Sequence, residues 1–93
     1  MIAQKTMRKV LEQLPVLYDK LGVELNHREG LISELPKTYQ GLPCPGGVRV
    51  SAGERNWEGE FILDFSEEGV LTSILRETWA GQNIREENIL SNF

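Results

Sequence analysis

Apolar and polar residues alternate along positions 56–79, NWEGEFILDFSEEGVLTSILRETW, and this pattern predicts two β-strands joined by a tight turn. The turn, Ser66-Glu67-Glu68-Gly69, suits a type I turn that ends in a left-handed residue, because glycine adopts positive φ without a Cβ penalty. A turn of this type sets the register of the hairpin, with Ser66 opposite Val70 and every later pair following from that one.

The predicted register gives the hairpin two faces of different chemistry. One face is mostly apolar and is expected to lie inward, with these pairs: Phe65 with Leu71, Leu63 with Ser73, Phe61 with Leu75, Gly59 with Glu77, and Trp57 with Trp79. The other face is mostly polar, with these pairs: Asp64 with Thr72, Ile62 with Ile74, Glu60 with Arg76, and Glu58 with Thr78. An opposite-charge pair directly across two strands contributes ~0.2–1 kcal/mol.

The second half of this stretch has an alternative interpretation as a helix. Helical spacing is also present, at Val70, Leu71, Ile74, Leu75, Thr78 and Trp79. Most residues of the segment are weak helix formers, so the strand is the favoured prediction.

A further strand is predicted over residues 47–52, where Val48, Val50 and Ala52 share one face. If residues 53–56 turn the chain, these residues face the apolar side of the hairpin in these pairs: Ala52 with Trp57, Val50 with Gly59, and Val48 with Phe61. Glu60 is then expected outward, between Arg49 and Arg76. The result is a three-stranded antiparallel meander.

Residues 3–21 carry the pattern of an amphipathic helix. Apolar residues recur at spacings of four and three, at Ala3, Met7, Val10, Leu14, Leu17 and Leu21, and the stripe is widened by Leu11 and Tyr18. Gly22 is a natural stop, and Pro15 predicts a kink or a break into two helices. We expect the stripe to cover the apolar face of the sheet rather than to form a coiled coil.

Two segments are less determined. Residues 23–35 fit a hairpin with strands over 23–25 and 31–35, or a helix opened by a capping box of Asn26 and Glu29. In the tail, Asn83 and Glu86 have capping-box spacing and predict a short helix over residues 84–90. The predicted fold is a single α+β domain: an N-terminal amphipathic helix on an antiparallel meander of three to five strands, with a short C-terminal helix.

Composition narrows the class of protein. The chain has 93 residues, of which 40% are hydrophobic and 26% charged, as in ordinary soluble globular domains. The net charge of −4 is unfavourable for direct binding to nucleic-acid phosphates. Apolar runs are too short for a membrane span or a secretory signal, and the single cysteine cannot form an internal disulfide. We therefore expect a cytoplasmic protein.

Candidate catalytic groups are few. His27 has the neighbours of an exposed turn, and Cys44 lies in a loop rich in proline and glycine. A Cys–His dyad needs the fold to bring them together, and no third member is evident. Glu58, Glu60 and Asp64 alternate on one strand face, but paired-carboxylate catalysis needs a cleft between the groups. We expect no catalytic residues, cofactor or metal site.

The polarised acidic face instead predicts a non-enzymatic module that docks on another protein, as an adaptor, inhibitor or subunit. Its candidate partner-binding residues are Glu58, Ile62, Asp64, Ile74, Trp57 and Trp79. In a narrower version, the carboxylates mimic nucleic-acid phosphates and block a nucleic-acid-binding machine. One alternative is a small-molecule-binding protein or minor enzyme that uses a pocket between helix and sheet near Trp57, Trp79 and Cys44. Another is a structural homo-oligomer.

Overall fold

The computed structural model describes residues 2–28, 30–53 and 58–93. One helix, α1, is followed by seven strands: α1 Gln4–Leu21, β1 Leu31–Leu35, β2 Thr38–Tyr39, β3 Leu42–Pro43, β4 Gly47–Gly53, β5 Gly59–Phe65, β6 Leu71–Ala80 and β7 Asn83–Asn88. Five strands form an antiparallel sheet of order β1-β4-β5-β6-β7, and β2 and β3 form a separate small hairpin. The predicted α+β fold is confirmed.

Helix α1 buries most of its predicted stripe, with Val10, Leu14, Leu17 and Tyr18 in the core, although Leu11 is half exposed. The helix continues through Pro15, so the predicted break is wrong; the proline ring lies on the exposed side. The end at Gly22 is confirmed. Gly22 has φ 74°, and the amides of Gly22 and Val23 donate to the carbonyls of Asp19 and Tyr18, which is a Schellman ending.

One face of the sheet packs against α1, and we call it the helix face. Its buried side chains are Val48, Val50, Ala52, Phe61, Leu63, Phe65 and Ile74. Two polar contacts tie the helix to the loop between β5 and β6: the Thr6 hydroxyl donates to the carbonyl of Glu67, and Gln13 Nε2 donates to the carbonyl of Gly69 at 2.7 Å. Burial of this apolar surface is the main stabilising term of the fold.

The β5–β6 turn forms as predicted. The Ser66 amide donates to the Val70 carbonyl at 2.8 Å, Gly69 has φ 81°, and Phe65 lies opposite Leu71. Between Phe65 and Asp64 the register shifts by one residue, because β6 carries an extra residue, Thr72. The Thr72 hydroxyl donates to the Asp64 carbonyl at 3.1 Å at this bulge.

The bulge reverses the faces of β6, so the predicted pairs beyond Leu71 are wrong. Leu63 lies opposite Ile74, Phe61 opposite Arg76, and Gly59 opposite Thr78. Ile74 is fully buried on the helix face, whereas Leu75, Glu77 and Trp79 lie on the other face. A shift of one residue moves every later side chain to the opposite face.

The predicted pairing of β4 with β5 has the right faces and the wrong register. Val48 lies opposite Phe65, Val50 opposite Leu63, and Ala52 opposite Phe61, four residues from the predicted pairs. The expectation that Glu60 lies between Arg49 and Arg76 is therefore wrong. Glu60 lies between Gly53 and Glu77.

Two further segments differ from their predictions. Residues 31–35 form β1 as expected, but residues 25–27 form a 3-10 turn, so the described residues of 23–35 form neither the predicted hairpin nor the capped helix. Glu29 of the predicted capping box lies outside the described residues. Val23 is buried against the core instead of starting a strand. Residues 84–88 of the predicted C-terminal helix belong to β7, and a 3-10 turn at Leu90–Asn92 follows. Pairing with β6 across a two-residue loop at Gly81 outweighs the capping-box signal.

The bulge predicts that two neighbouring truncations lower stability by different amounts. Ile74→Ala removes a fully buried side chain and should lower the free energy of unfolding by about 2–5 kcal/mol. Leu75→Ala removes a half-buried side chain from the other face and should cost clearly less. Urea unfolding of both variants measures the difference. A larger loss for Leu75→Ala would contradict the bulged register.

Candidate docking face of the sheet

The face of the sheet opposite α1 is the open face. Its described side chains are all half-buried or exposed, from β1 to β7. Two groups stand out on it. The acid row consists of Glu60, Glu77 and Glu86, which lie directly opposite one another on β5, β6 and β7. The apolar strip consists of Leu31, Ile62, Leu75, Trp79 and Ile84.

The acid row exists because of the bulge. The shifted register places Glu60 against Glu77, and β7 then adds Glu86 beside Glu77. Neighbouring strands are about 4.8 Å apart, so the row extends about 10 Å across the sheet. Like charges directly opposite one another destabilise a sheet. Partial desolvation of Glu77, together with the charges of Glu60 and Glu86 and hydrogen bonds shared with them, raises the pKa of Glu77.

The residues of the apolar strip lie on both sides of the acid row. On the side nearer the β5–β6 turn, Ile62 lies opposite Leu75. On the side farther from that turn, Trp79 lies opposite Ile84. Trp79 is 46% exposed and Ile84 65% exposed, so this cross-strand pair shows much of its apolar surface to solvent. Glu58 lies next to it, because the Trp79 amide donates to the Glu58 carbonyl at 2.8 Å.

The structure brings only some of the predicted binding residues together. Glu58, Ile62 and Trp79 lie on or beside the open face, near the acid row. The placement of Ile74 on the outer face is wrong, since it is buried in the core. The predicted inward pair of Trp57 and Trp79 is wrong for Trp79, which lies on the open face, while Trp57 lies outside the described residues.

Asp64 is on the open face but is already engaged. Arg49 donates from Nε and Nη2 to its two carboxylate oxygens at 2.8 and 3.0 Å. This hydrogen bond raises the pKa of Arg49, and Asp64 offers little free charge to a partner. The connection between β1 and β4, including Cys44 and Pro45, lines a shallow cavity with this pair, at the end of the open face away from Trp79.

The fold does not bring His27 and Cys44 together. His27 is buried in the 3-10 turn beyond the C-terminal end of α1, which corrects the prediction that it is exposed. The Cys44 amide donates to the Lys37 carbonyl, Lys37 pairs with Glu67, and Glu67 contacts Thr6 at the start of α1. An 18-residue helix is about 27 Å long, so the two residues lie at opposite ends of it.

One cavity lies at the N-terminal end of α1, away from Trp79. It has a volume of about 350 Å³, and its lining includes Ile2, Thr6, Glu34, Lys37 and Glu67. Lys37 and Glu67 form an ion pair with a separation of 3.4 Å at this cavity. Trp79 does not line this cavity, and Trp57, the other tryptophan of the predicted pocket, lies outside the described residues.

The acid row does not have the geometry of a metal site. Among the described residues, no group of three or more His, Cys, Asp or Glu side chains is arranged to hold a metal ion. Hard cations need several oxygens converging from different directions, usually from a folded loop, whereas these carboxylates project side by side from a sheet.

Comparisons with known proteins do not add a function. No family model matches the chain, and neither a curated protein nor a solved structure is significantly similar to it. In the described part of the chain, no helix has the length and hydrophobicity that crossing a bilayer requires.

Sequence reasoning missed Leu75, Glu77, Ile84 and Glu86, which complete the two groups on the open face. An uninterrupted register places Leu75 and Glu77 on the helix face. The capping-box pattern places Ile84 and Glu86 in a helix. A signal for β7 was present, because Gly81 and Gln82 can form a two-residue hairpin loop after a strand. Nothing in the sequence pattern marks the bulge at Thr72.

Removing one charge from the acid row should stabilise the protein. Because the folded-state pKa of Glu77 is raised above its unfolded value, its destabilising effect is present above the folded pKa and disappears as the pH falls toward the unfolded value. Glu77→Gln should therefore raise the free energy of unfolding at pH 7, by about 0.2–1 kcal/mol. The gain should vanish near pH 3.5, where carboxylates with an unperturbed pKa of about 4.3 are mostly protonated.

Glu87→Gln is the matched control, since Glu87 lies opposite Arg76 on the other face of β7. The same change of charge there should leave stability unchanged or lower it. Urea unfolding at the two pH values measures both variants. Equal effects of the two substitutions would show that net charge, and not the row, is responsible.

Proposed function

We propose that this chain is a small cytoplasmic, non-enzymatic module that docks the open face of its sheet on a basic surface of a protein partner. The observation that carries the proposal is the acid row, three carboxylates directly opposite one another beside an exposed tryptophan. Like charges directly opposite one another lower the stability of a sheet, and among the described residues no cation lies within the row. A binding role accounts for it.

The open face has the composition of a binding surface. Aromatic residues are enriched at binding hot spots, and an exposed apolar patch rimmed by polar groups marks an interaction site. Trp79 and Ile84 supply the apolar anchor, and the neighbouring carboxylates supply charge. Helix α1 occupies only the other face, so a partner reaches this surface without unfolding any described element.

The charge of the surface defines the partner's chemistry. Lysine or arginine side chains can pair with the acid row, and a guanidinium can also stack on the ring of Trp79. Such steering charges raise the association rate and make binding sensitive to salt. The partner surface is therefore expected to be basic, with an apolar or planar group at its centre.

In a narrower form of the proposal, the partner is a nucleic-acid-binding protein and the carboxylates occupy its phosphate sites. The acid row supports this form because it presents three carboxylates in a line, whereas Asp64 does not contribute because Arg49 neutralises it. The partner should then release the chain when duplex DNA or RNA is added. A complex that holds chain and nucleic acid together would exclude this form and leave the broader one standing.

Charge reversal at Glu77 tests the proposal without harming the fold. Lysine at this position lies between Glu60 and Glu86 and should stabilise the sheet, so any loss of binding cannot come from unfolding. The immobilised chain is used to capture proteins from a lysate of its own cells, with wild type and Glu77→Lys compared. We expect a protein with a basic surface to bind the wild type and to lose about tenfold or more in affinity for Glu77→Lys, or ~1.4 kcal/mol.

The control for this experiment is Glu12→Lys, the same change of charge on the exposed side of α1. It should retain the partner, and Trp79→Ala should lose it. Capture of the same protein by all four baits would contradict docking on the open face, as would a wild-type bait that retains nothing specifically.

A further inference from the structure

Strand β7 forms an edge of the sheet, and all six of its residues are exposed. No strand of the described ranges lies beyond it, and its pairing with β6 shows no irregularity. Natural edge strands are usually protected by charged side chains, proline, a bulge or a covering element. β7 contains no proline or glycine and has no bulge, and its protection comes from the charges of Arg85, Glu86 and Glu87. A strand of complementary charge can therefore pair with its backbone.

The hydrogen bonds around β6 show which backbone groups of β7 point outward. The Trp79 amide donates to Glu58 on β5, and the Ile89 amide donates to the Ile74 carbonyl on β6. Alternate residues of an antiparallel strand bond to opposite neighbours. The amides and carbonyls of Ile84, Glu86 and Asn88 therefore point away from β6, toward the open edge.

The same three residues have their side chains on the open face, in line with the groups described above. A strand placed beside β7 would continue both rows. Its residue opposite Glu86 would be the fourth member of the row formed by Glu60, Glu77 and Glu86. Its residue opposite Ile84 would extend the pair formed by Ile84 and Trp79.

These two positions have different chemical requirements. A lysine or arginine opposite Glu86 gives an opposite-charge cross-strand pair and offsets the repulsion within the row. An apolar residue opposite Ile84 covers surface that is now exposed. In an antiparallel strand the apolar residue follows the cation by two positions, because side chains on one face recur with a period of two.

A second copy of this chain does not fit the same edge. Two β7 strands related by a twofold axis place one residue against itself. In the two registers that pair the most residues of β7, that residue is Arg85 or Glu86, so each of these registers opposes like charges. Charge complementarity favours a basic segment of a different protein.

We infer that the β7 edge binds an extended segment of the protein partner as a sixth, antiparallel strand, with a cation opposite Glu86 and an apolar residue two positions later opposite Ile84. The inference rests on the proposed docking function and specifies its mode. Backbone hydrogen bonds would supply affinity, and the two side-chain positions would supply selectivity, as in other complexes formed by strand addition.

The probe is a capped peptide, Thr-Thr-Thr-Lys-Thr-Val-Thr-Thr, titrated into isotopically labelled protein and followed by NMR. The strongest shifts are expected at the amides of Ile84, Glu86 and Asn88, with a Kd at or below about 1 mM. Replacing the peptide's lysine by glutamate should abolish binding. So should exchanging its lysine and valine, if the strand is antiparallel.

Backbone methylation of the peptide separates strand addition from simple charge attraction. Methylation of the lysine amide removes a donor that points at β7 and should weaken binding about tenfold or more. Methylation of the following threonine amide, which points away, should have little effect. On the protein, Glu86→Pro should bind much more weakly than Glu86→Gln, since proline removes an outward amide without disturbing the bonds to β6.

The outcomes distinguish this inference from the proposed function. If the parent peptide does not bind, or if both methylated peptides bind equally well, strand addition is wrong. If Glu77→Lys still loses the captured partner while Glu86→Pro and Glu86→Gln retain it equally, docking on the open face stands and its mode is different. If Glu77→Lys also retains the partner, both docking on the open face and strand addition at β7 are wrong.

Discussion

The register of β6 against β5 is the constraint on which the rest of the structure depends. One extra residue at Thr72 moves Ile74 into the core and moves Leu75, Glu77 and Trp79 to the open face. The core gains a fully buried side chain opposite Leu63. The same shift places two apolar side chains, Leu75 and Trp79, on the open face, together with Glu77, whose carboxylate lies opposite that of Glu60. Core packing and surface chemistry are therefore set by the same local irregularity.

The two faces of the sheet have different effects on the stability of the fold. On the helix face, apolar pairs and the polar contacts of Thr6 and Gln13 hold α1 against the strands. On the open face, the acid row lowers stability, and the exposed apolar strip adds little to it. Residues that lower the stability of the fold and remain accessible to solvent are expected on a surface that binds a partner. Desolvation and the charges of Glu60 and Glu86 raise the pKa of Glu77, as expected for this arrangement.

Much of the fold follows from sequence patterns, and the binding face does not. The amphipathic stripe of α1, the glycine at its end, the turn at Gly69 and the alternation in β4 and β5 are strong local signals, and all are confirmed. A bulge leaves no such signal, because Thr72 suits a regular strand equally well. Register errors then spread along the strand, which is why Glu60 was expected beside Arg76 and lies beside Glu77. The sequence analysis predicts a helix in place of β7, because the capping-box pattern of Asn83 and Glu86 is a more familiar local signal than the two-residue hairpin loop at Gly81.

Nuclear Overhauser effects between backbone protons measure the β5–β6 register most directly. In antiparallel sheets, Cα atoms of a non-hydrogen-bonded pair lie about 4.5 Å apart, and their Hα protons are close. The bulged register predicts strong Hα–Hα effects between Leu63 and Ile74 and between Phe61 and Arg76. An uninterrupted register would give them between Leu63 and Ser73 and between Phe61 and Leu75. That result would separate Glu60 from Glu77 and remove the basis for the acid row.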